Sequence, residues 1–515
     1  MAISSPPTRP TRRLIQPAHL SADTVPLARS RTAPRFDASC IVSNFAALSL
    51  AEVICRATSF AVTLSLTRRL DQSGYGRIEF AFNVVFWLVL LVRDGVEVIA
   101  ARELARHPRL VRPLVNHVIA LKGLIASALL AGLVLVGSLT MTDPTDRAIL
   151  CMYGLMLVTT ALGIDFVYRG LERMTLVAVS LILRTLIYAV GIWLWVTDAS
   201  RIVAVPACLA LGEAVGIALV WSDYVRRFGM PRPVWSRRFM QVSLRRGRSV
   251  CLIQVSQTVI ASIDLIFVGM MYPWDEVGRY CAPHRMITAV LTFSLIFQQV
   301  VFPSLARSWR QTAASGQAAV SGMVKLLVVG LLPIAVGGTV LAAPLIKYLL
   351  PRDFESAAPL LILGIWRVPL LTLAYLYRTA LIAVNREAVG VRMLAVGALA
   401  SGPMVWVLCR LLGPPGASSA VLLIGAGLLA AGYGCLAREG RQPPWHHHLM
   451  KPALACLVMT FACLALERIS VPLAVVGGAL VYFATLALIG GIPRFELASL
   501  LQPSRQVGCR ATEAR

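Results

Sequence analysis

The chain has 515 residues, of which 57% are hydrophobic and 14% charged, with a formal net charge of +24. That apolar content and a mean hydropathy of +0.73 exclude an ordinary soluble domain and leave an integral membrane protein. The positive charge does not point to nucleic acid, because the cations are scattered through short connections, without zinc-finger spacing, a recognition helix or aromatic RNA-binding strands.

Residues 1–38 are rich in Arg, Ser, Thr and Pro, with Asp23 and Asp37 their only acids, a composition that predicts a disordered basic cytoplasmic tail. An organellar transit peptide and a segment drawn to anionic lipid are the functional alternatives. No apolar h-region precedes residue 41, so a cleaved secretory signal is not expected. Fourteen apolar stretches follow, at 41–66, 80–100, 113–137, 148–168, 174–196, 202–222, 249–271, 284–305, 322–343, 357–384, 388–409, 414–436, 449–466 and 470–491. About 20 residues rising 1.5 Å each cross a hydrocarbon core roughly 30 Å thick, so each is long enough to span, 449–466 only marginally. Twelve or thirteen spans would result if the last pair were re-entrant.

Lys and Arg concentrate in alternate connections, on the side that holds both tails, which places both termini in the cytoplasm. The strongest concentration follows span six, with Arg226, Arg227, Arg232, Arg237, Arg238, Arg245, Arg246 and Arg248. The chain therefore divides into an N-lobe at 39–222, a basic cytoplasmic linker at 223–248, a C-lobe at 249–436, a hairpin at 437–491 and a cytoplasmic tail at 492–515. An internal echo agrees: Gly76-Arg77 is followed by Leu104-Ala105-Arg106, and Gly278-Arg279 by Leu305-Ala306-Arg307. Each pair flanks one helix running in the same direction, which implies a repeat about an axis along the membrane normal. The expected fold is an all-α integral membrane protein. It has about 14 transmembrane helices, as two pseudo-symmetric six-helix lobes around a central cavity plus two C-terminal helices.

Seven cations are assigned to the membrane interior: Arg56, Arg93, Lys122, Arg184, Arg285, Arg367 and Arg378. A cation there costs roughly 2.5 to 3.5 kcal/mol or more and usually faces a wet interior, so the set marks a route for something anionic. The structural alternative is internal pairing. Glu52 and Arg56 are four apart and share a helix face. On a continuous helix Arg93 and Asp94 point about 100° apart and should not pair, whereas Glu97 is placed to pair with Arg93. Asp165 and Glu213 are further candidate partners, Asp264 stands alone in its span, and Lys122 and Arg285 are the two that could reach an interface. Arg56, Arg93, Arg184, Arg367 and Arg378 are the expected substrate contacts, and Asp94 and Asp264 the candidate ion-coupling carboxylates, since a desolvated carboxyl can take up and release a proton. Proton and sodium are not distinguished.

The first hairpin carries Asn44, then Arg68-Arg69-Leu70 and Gly74-Tyr75-Gly76 in the outer turn, then Asp94-Gly95 and Ala101-Arg102-Glu103. The second lobe gives Asp264, then Val277-Gly278-Arg279-Tyr280, then Phe302-Pro303. At these positions, over about residues 41–440, the chain resembles the polysaccharide flippase branch (Wzx/PST type) of the multidrug/oligosaccharidyl-lipid/polysaccharide exporter superfamily. Lipid II flippases are more distant relatives. The long basic N-terminal tail and the Arg-rich connection after span six depart from what the family requires. The resemblance implies a transporter that flips a polyprenyl-pyrophosphate-linked oligosaccharide or exopolysaccharide repeat unit from the cytoplasmic to the outer leaflet of a bacterial plasma membrane, by alternating access. A cationic lumen suits that cargo, because the planar, permanently charged guanidinium makes paired hydrogen bonds to phosphate oxygens. Membrane lipids, and with them a polysaccharide polymerase and glycosyltransferases, are the implied partners, with no nucleic acid.

An ion-coupled multidrug exporter of the same superfamily is the alternative, although its organic cations would call for carboxylates in the lumen. A membrane glycosyltransferase or O-antigen ligase is the second, and would need a large external domain. The sequence has no Walker A motif, nucleophile elbow, HExxH or loop DxD, so an enzyme is not expected, nor a cofactor. No metal is expected either: the eleven Cys include no CxxC pair, and His446 to His448 lack spaced acidic or Cys partners.

Overall fold

A computed structural model describes residues 38–438 and 446–491 as α-helices joined by short turns and 3-10 segments, with no strand among them. The chain divides into a short unit, Met1–Ser43, of which only the first residues of α1 are described, and a large unit, Asn44–Arg515. Most of the expected N-terminal tail, residues 439–445 and the C-terminal tail lie outside the described residues, as do the side chains of Asn44, Phe302, Pro303 and His446 to His448.

The helices are α1 (Ala38–Arg69), α2 (Gln72–Arg93), α3 (Val96–Arg106), α4 (Val111–Thr140), α5 (Pro144–Leu162), α6 (Asp165–Gly170), α7 (Met174–Trp195), α8 (Ala204–Phe228) and α9 (Arg237–Met271). The second half adds α10 (Trp274–Gln311), α11 (Ala313–Val340), α12 (Ala342–Leu349), α13 (Ala358–Ile365), α14 (Arg367–Ala383), α15 (Glu387–Leu412), α16 (Pro414–Arg438), α17 (His446–Leu466) and α18 (Val471–Leu488). Side-chain oxygens cap several N-termini: Asp71 accepts from the Gly74 amide, Asp143 from Thr145 and Ser236 from Phe239.

Among the described residues, twelve helical segments are long and apolar enough to cross a membrane. Helices α2 and α10, the expected spans two and eight, are not among the twelve; both begin before their apolar stretch, in polar turns that carry Arg77 and Glu79 or Asp275 and Glu276. Leu139, Leu399 and Phe461 each leave more than 70% of their surface exposed, an outward apolar face suited to lipid.

The expected continuous span at 80–100 is broken. Asp94 is extended and Gly95 sits at φ +93°, a conformation that L side chains rarely adopt, so α2 stops at Arg93 and α3 starts at Val96. Further on, α8 runs to Phe228 and α9 begins at Arg237, so most of the expected linker is helical and only residues 229–236 connect the two. Of the eight cysteines inside the expected spans, Cys55, Cys208, Cys409, Cys456 and Cys463 are buried, Cys251 and Cys435 are half-buried, and Cys151 is exposed on α5.

The packing repeats between the halves. Helices α7 and α8, expected spans five and six, pack on each other as α15 and α16, spans eleven and twelve, do. Between the halves, α2 packs along α9 and α10, and α3 reaches α9. Helices α17 and α18 pair with each other, and α17 lies on α11, with Cys456, Met459, Ala474 and Tyr482 buried against Val329 and Leu341.

A candidate charged site within the membrane helices

In the first half, three cations meet four carboxylates. Arg184 on α7 places Nη1 3.2 Å from Glu213 on α8 and Nη2 3.2 Å from Asp165, the first residue of α6. Its Nε donates to Ser180 Oγ at 3.1 Å, and Ser180 Oγ donates to the Gly216 carbonyl at 3.0 Å. The Arg184 side chain lies so close over Gly216 that a Cβ there would collide with it, which is the reason this helix carries glycine at the contact. Lys122 on α4 is fully buried and donates to Glu97 at 2.6 Å and to the Gly163 carbonyl at 2.8 Å. Arg93 donates from Nε to Asp94 at 3.0 Å and lies within electrostatic reach of Glu97, Asp165 and Glu213.

Among the described residues the second half holds one ion pair sealed on both sides. Asp264 on α9 is fully buried and accepts from Arg367 Nη2 on α14 at 2.7 Å and from the Tyr280 hydroxyl on α10. Ser418 donates to Tyr280 at 3.1 Å, and His284 Nε2 lies 3.7 Å from the second Asp264 oxygen. Arg367 Nε and Nη1 and Asp264 Oδ1 have no hydrogen-bond partner although buried. Between the halves, Arg285 on α10 stands 3.6 Å from Glu79 on α2, with its guanidinium over the Phe82 ring at 5.2 Å, and Trp87 donates to Ser262 at 2.9 Å.

Three expectations about pairing are corrected. Arg93 pairs with Asp94, because the helix ends between them and the 100° offset of a continuous helix no longer applies. Glu97, which the sequence assigns to Arg93, instead holds Lys122, whose side chain is fully buried among the helices. Asp264 does not stand alone, since Arg367 reaches it from 103 residues away. The Glu52–Arg56 pair forms as expected, at 3.6 Å, with 43% of the Arg56 side chain exposed. Glu79 and His284 carry no signal in the sequence, and Tyr280 enters there only through the Val277-Gly278-Arg279-Tyr280 motif; the partners of all three lie on other helices, at separations no local pattern reveals.

Each of six interior cations, Arg56, Arg93, Lys122, Arg184, Arg285 and Arg367, thus has a carboxylate within 4 Å. The exception is Arg378, half-buried on α14 over Gly390. It makes no hydrogen bond or ion pair with a described residue, and its Nε is buried without a partner. Such a set of ionised groups inside apolar helices, twelve of them long and apolar enough to span, belongs to a multi-pass membrane protein.

Residues 41–309 match the polysaccharide biosynthesis protein family, and the chain belongs to it. No curated protein matches it in sequence. Its fold is that of the lipid II flippase MurJ in an inward closed conformation, at 12% identity and a TM-score of 0.70, covering 86% of this chain and 98% of that one. An inward-facing multidrug resistance MATE transporter of the MOP superfamily matches at 12% identity and 0.59, covering 78% and 98%. A MOP transporter from Pyrococcus furiosus, described as having a binding pocket of reverse polarity, matches at 13% and 0.55, covering 78% and 95%.

Proposed function

We propose that this protein flips a polyprenyl-pyrophosphate-linked oligosaccharide or exopolysaccharide repeat unit from the cytoplasmic to the outer leaflet of a bacterial plasma membrane, with both termini in the cytoplasm. It works beside membrane lipids and the polymerase and glycosyltransferases of its pathway, and performs no covalent chemistry of its own. Family membership and the shared flippase fold support the class of transport. The observation that carries the cargo's charge is Arg378, a cation inside the membrane helices with no described carboxylate to neutralise it. A pyrophosphate oxygen supplies the missing partner.

Arg56 and Arg93 extend this receptive set, since 43% of each side chain is exposed beside its carboxylate and a phosphate can compete for it. Arg184 and Arg367, at 14% and 2% exposed, act on the cargo only through the helices they hold. Asp94 and Asp264, the carboxylates the sequence offers for ion coupling, are each taken by an arginine, Arg93 and Arg367, and this reading gives them no part in coupling. The test is transfer of a fluorescent polyprenyl-pyrophosphate oligosaccharide across proteoliposomes by the native chain and by Arg378→Gln, inserted equally. Flipping by the native chain that falls at least tenfold in Arg378→Gln supports the proposal. A native chain that leaves the lipid in place and exports a cationic dye overturns it in favour of the multidrug exporter.

A further inference from the structure

We propose that Asp165 and Glu213 hold one proton between them, beside Arg184, and that this pair is where the transporter takes up and releases a proton. Its place in the transport cycle rests on the reading above; the proton itself does not. The two carboxylates share one guanidinium, each 3.2 Å from it, so with both ionised the group carries a surplus negative charge within membrane helices. Arg184 is not free to shift toward either acid, because Ser180 holds its Nε and its stem lies in the space left by Gly216.

Nor do the surrounding charges make up the deficit. Arg93 faces the pair from the end of α2, but its Nε is committed to Asp94, whose other oxygen is buried with no partner at all. Beyond it, Glu97 on α3 is matched by Lys122 on α4 at 2.6 Å. On α1, which touches α7 through Cys55, Glu52 and Arg56 pair with each other, and Arg169, four residues after Asp165 on α6, is exposed and makes no ion pair with a described residue. Arg93, Lys122 and Arg184 therefore face Asp94, Glu97, Asp165 and Glu213, three cations against four carboxylates. Two carboxylates in one low-dielectric site do not readily ionise together. A proton from water turns one of them into an O–H donor and removes the surplus.

The same reasoning separates this pair from the others. Asp264 is matched one to one by Arg367 and both are sealed from solvent, at 0% and 2% exposed, whereas Asp165 and Glu213 keep 19% and 28% of their side chains exposed, so water can deliver a proton and carry it away. The donor set favours a proton over a metal ion: among the described residues no three His, Cys, Asp or Glu are grouped to hold one, and a guanidinium already contacts both acids. In the cycle, a carboxylate oxygen takes the proton from water on one face of the membrane and returns it to water on the other.

The test is infrared titration of the purified full chain in lipid vesicles, from about pH 8 to about pH 5. The expected result is one carboxylic-acid C=O band, lost in both Asp165→Asn and Glu213→Gln and kept in Asp94→Asn and Asp264→Asn. An unchanged band in the first two variants, or its loss in either of the last two, overturns the proposal, as does a band that responds to exchanging potassium for sodium. Elution of each variant as a monodisperse peak excludes misfolding, and because no substrate is added, failure here is distinct from failure of the flippase reading.

Discussion

Gly76 and Gly278 meet backbone to backbone where α2 crosses α10: a Cβ on Gly76 would lie 2.7 Å from the Gly278 nitrogen. A Cβ on Gly278 would collide with the Gln72 carbonyl. These are the glycines of the repeated Gly-Arg pairs, so the repeat places its two copies in contact with each other. Around the crossing, Tyr75 packs edge-on against Phe354 at 6.3 Å. Gly278→Ala forces backbone apart and should cost about 1–3 kcal/mol. Gly123→Ala, on a helix face with nothing within 4 Å of its added carbon, should not lower stability, since alanine is the better helix former. Unfolding midpoints in detergent check both; a Gly278→Ala midpoint equal to that of the native chain would mean that the helices separate freely here.

Asp264 and Arg367 are mutually dependent. Arg367→Met leaves an ionised carboxylate with only the Tyr280 hydroxyl and, 3.7 Å from its other oxygen, the His284 ring, and breaking a buried pair in this way costs about 3–5 kcal/mol. Replacing both partners, as Asp264→Leu with Arg367→Met, removes the uncompensated charge and should recover most of that loss. Guanidinium-induced unfolding of the two single variants and the double variant measures the coupling. Strictly additive losses would show that each group is held by something other than its partner.

The membrane class, the helix positions and the repeat were legible in the sequence because hydropathy and spacing are local properties, and so was the Glu52–Arg56 pair, four residues apart on one helix face. What failed was the pairing read across Asp94-Gly95, which assumed one uninterrupted helix there, and every pairing between helices. The chain reads as continuous through Asp94-Gly95, and only the left-handed Gly95, pressed against Gly247, shows that Arg93 and Asp94 end on the same side. The partners of Arg184 are 19 and 29 residues away, and Glu79 lies in the other half of the chain from Arg285. Such distances are set by how helices pack, which apolar periodicity leaves open.

Asp143, in the turn before α5, gives a pH dependence. The Arg77 guanidinium, 2.6 Å away, and the Thr145 amide hold its carboxyl below its ordinary value of 3.8. A depressed carboxylate stabilises the fold above the unfolded value and loses that contribution as pH falls through the folded one. Asp143's share of the clamp on Arg77, which Asp146 on α5 also grips at 3.0 Å, should therefore be intact at neutral pH and be lost as pH falls below 3.8. Asp143→Asn should narrow the gap between unfolding midpoints at pH 6 and at about pH 3. Equal gaps in the variant and the native chain would remove Asp143 from the acid response.

Lys122 supports the break between α5 and α6. Its buried ammonium donates to Glu97 on α3 and to the carbonyl of Gly163, which would otherwise face an apolar interior where the helix stops. Lys122→Met leaves a carboxylate and a carbonyl unpaired, and should cost about 3–5 kcal/mol. Lys122→Arg should not rescue it, because a planar fork needs more room than an ammonium and Lys122 has no exposed surface. The loss should be local first: hydrogen exchange should quicken at residues 159–170, next to Asp165, while α15 and α16 keep their native rates. Uniform quickening across both halves would instead mean that Lys122 stabilises the whole chain, without a particular duty at this break.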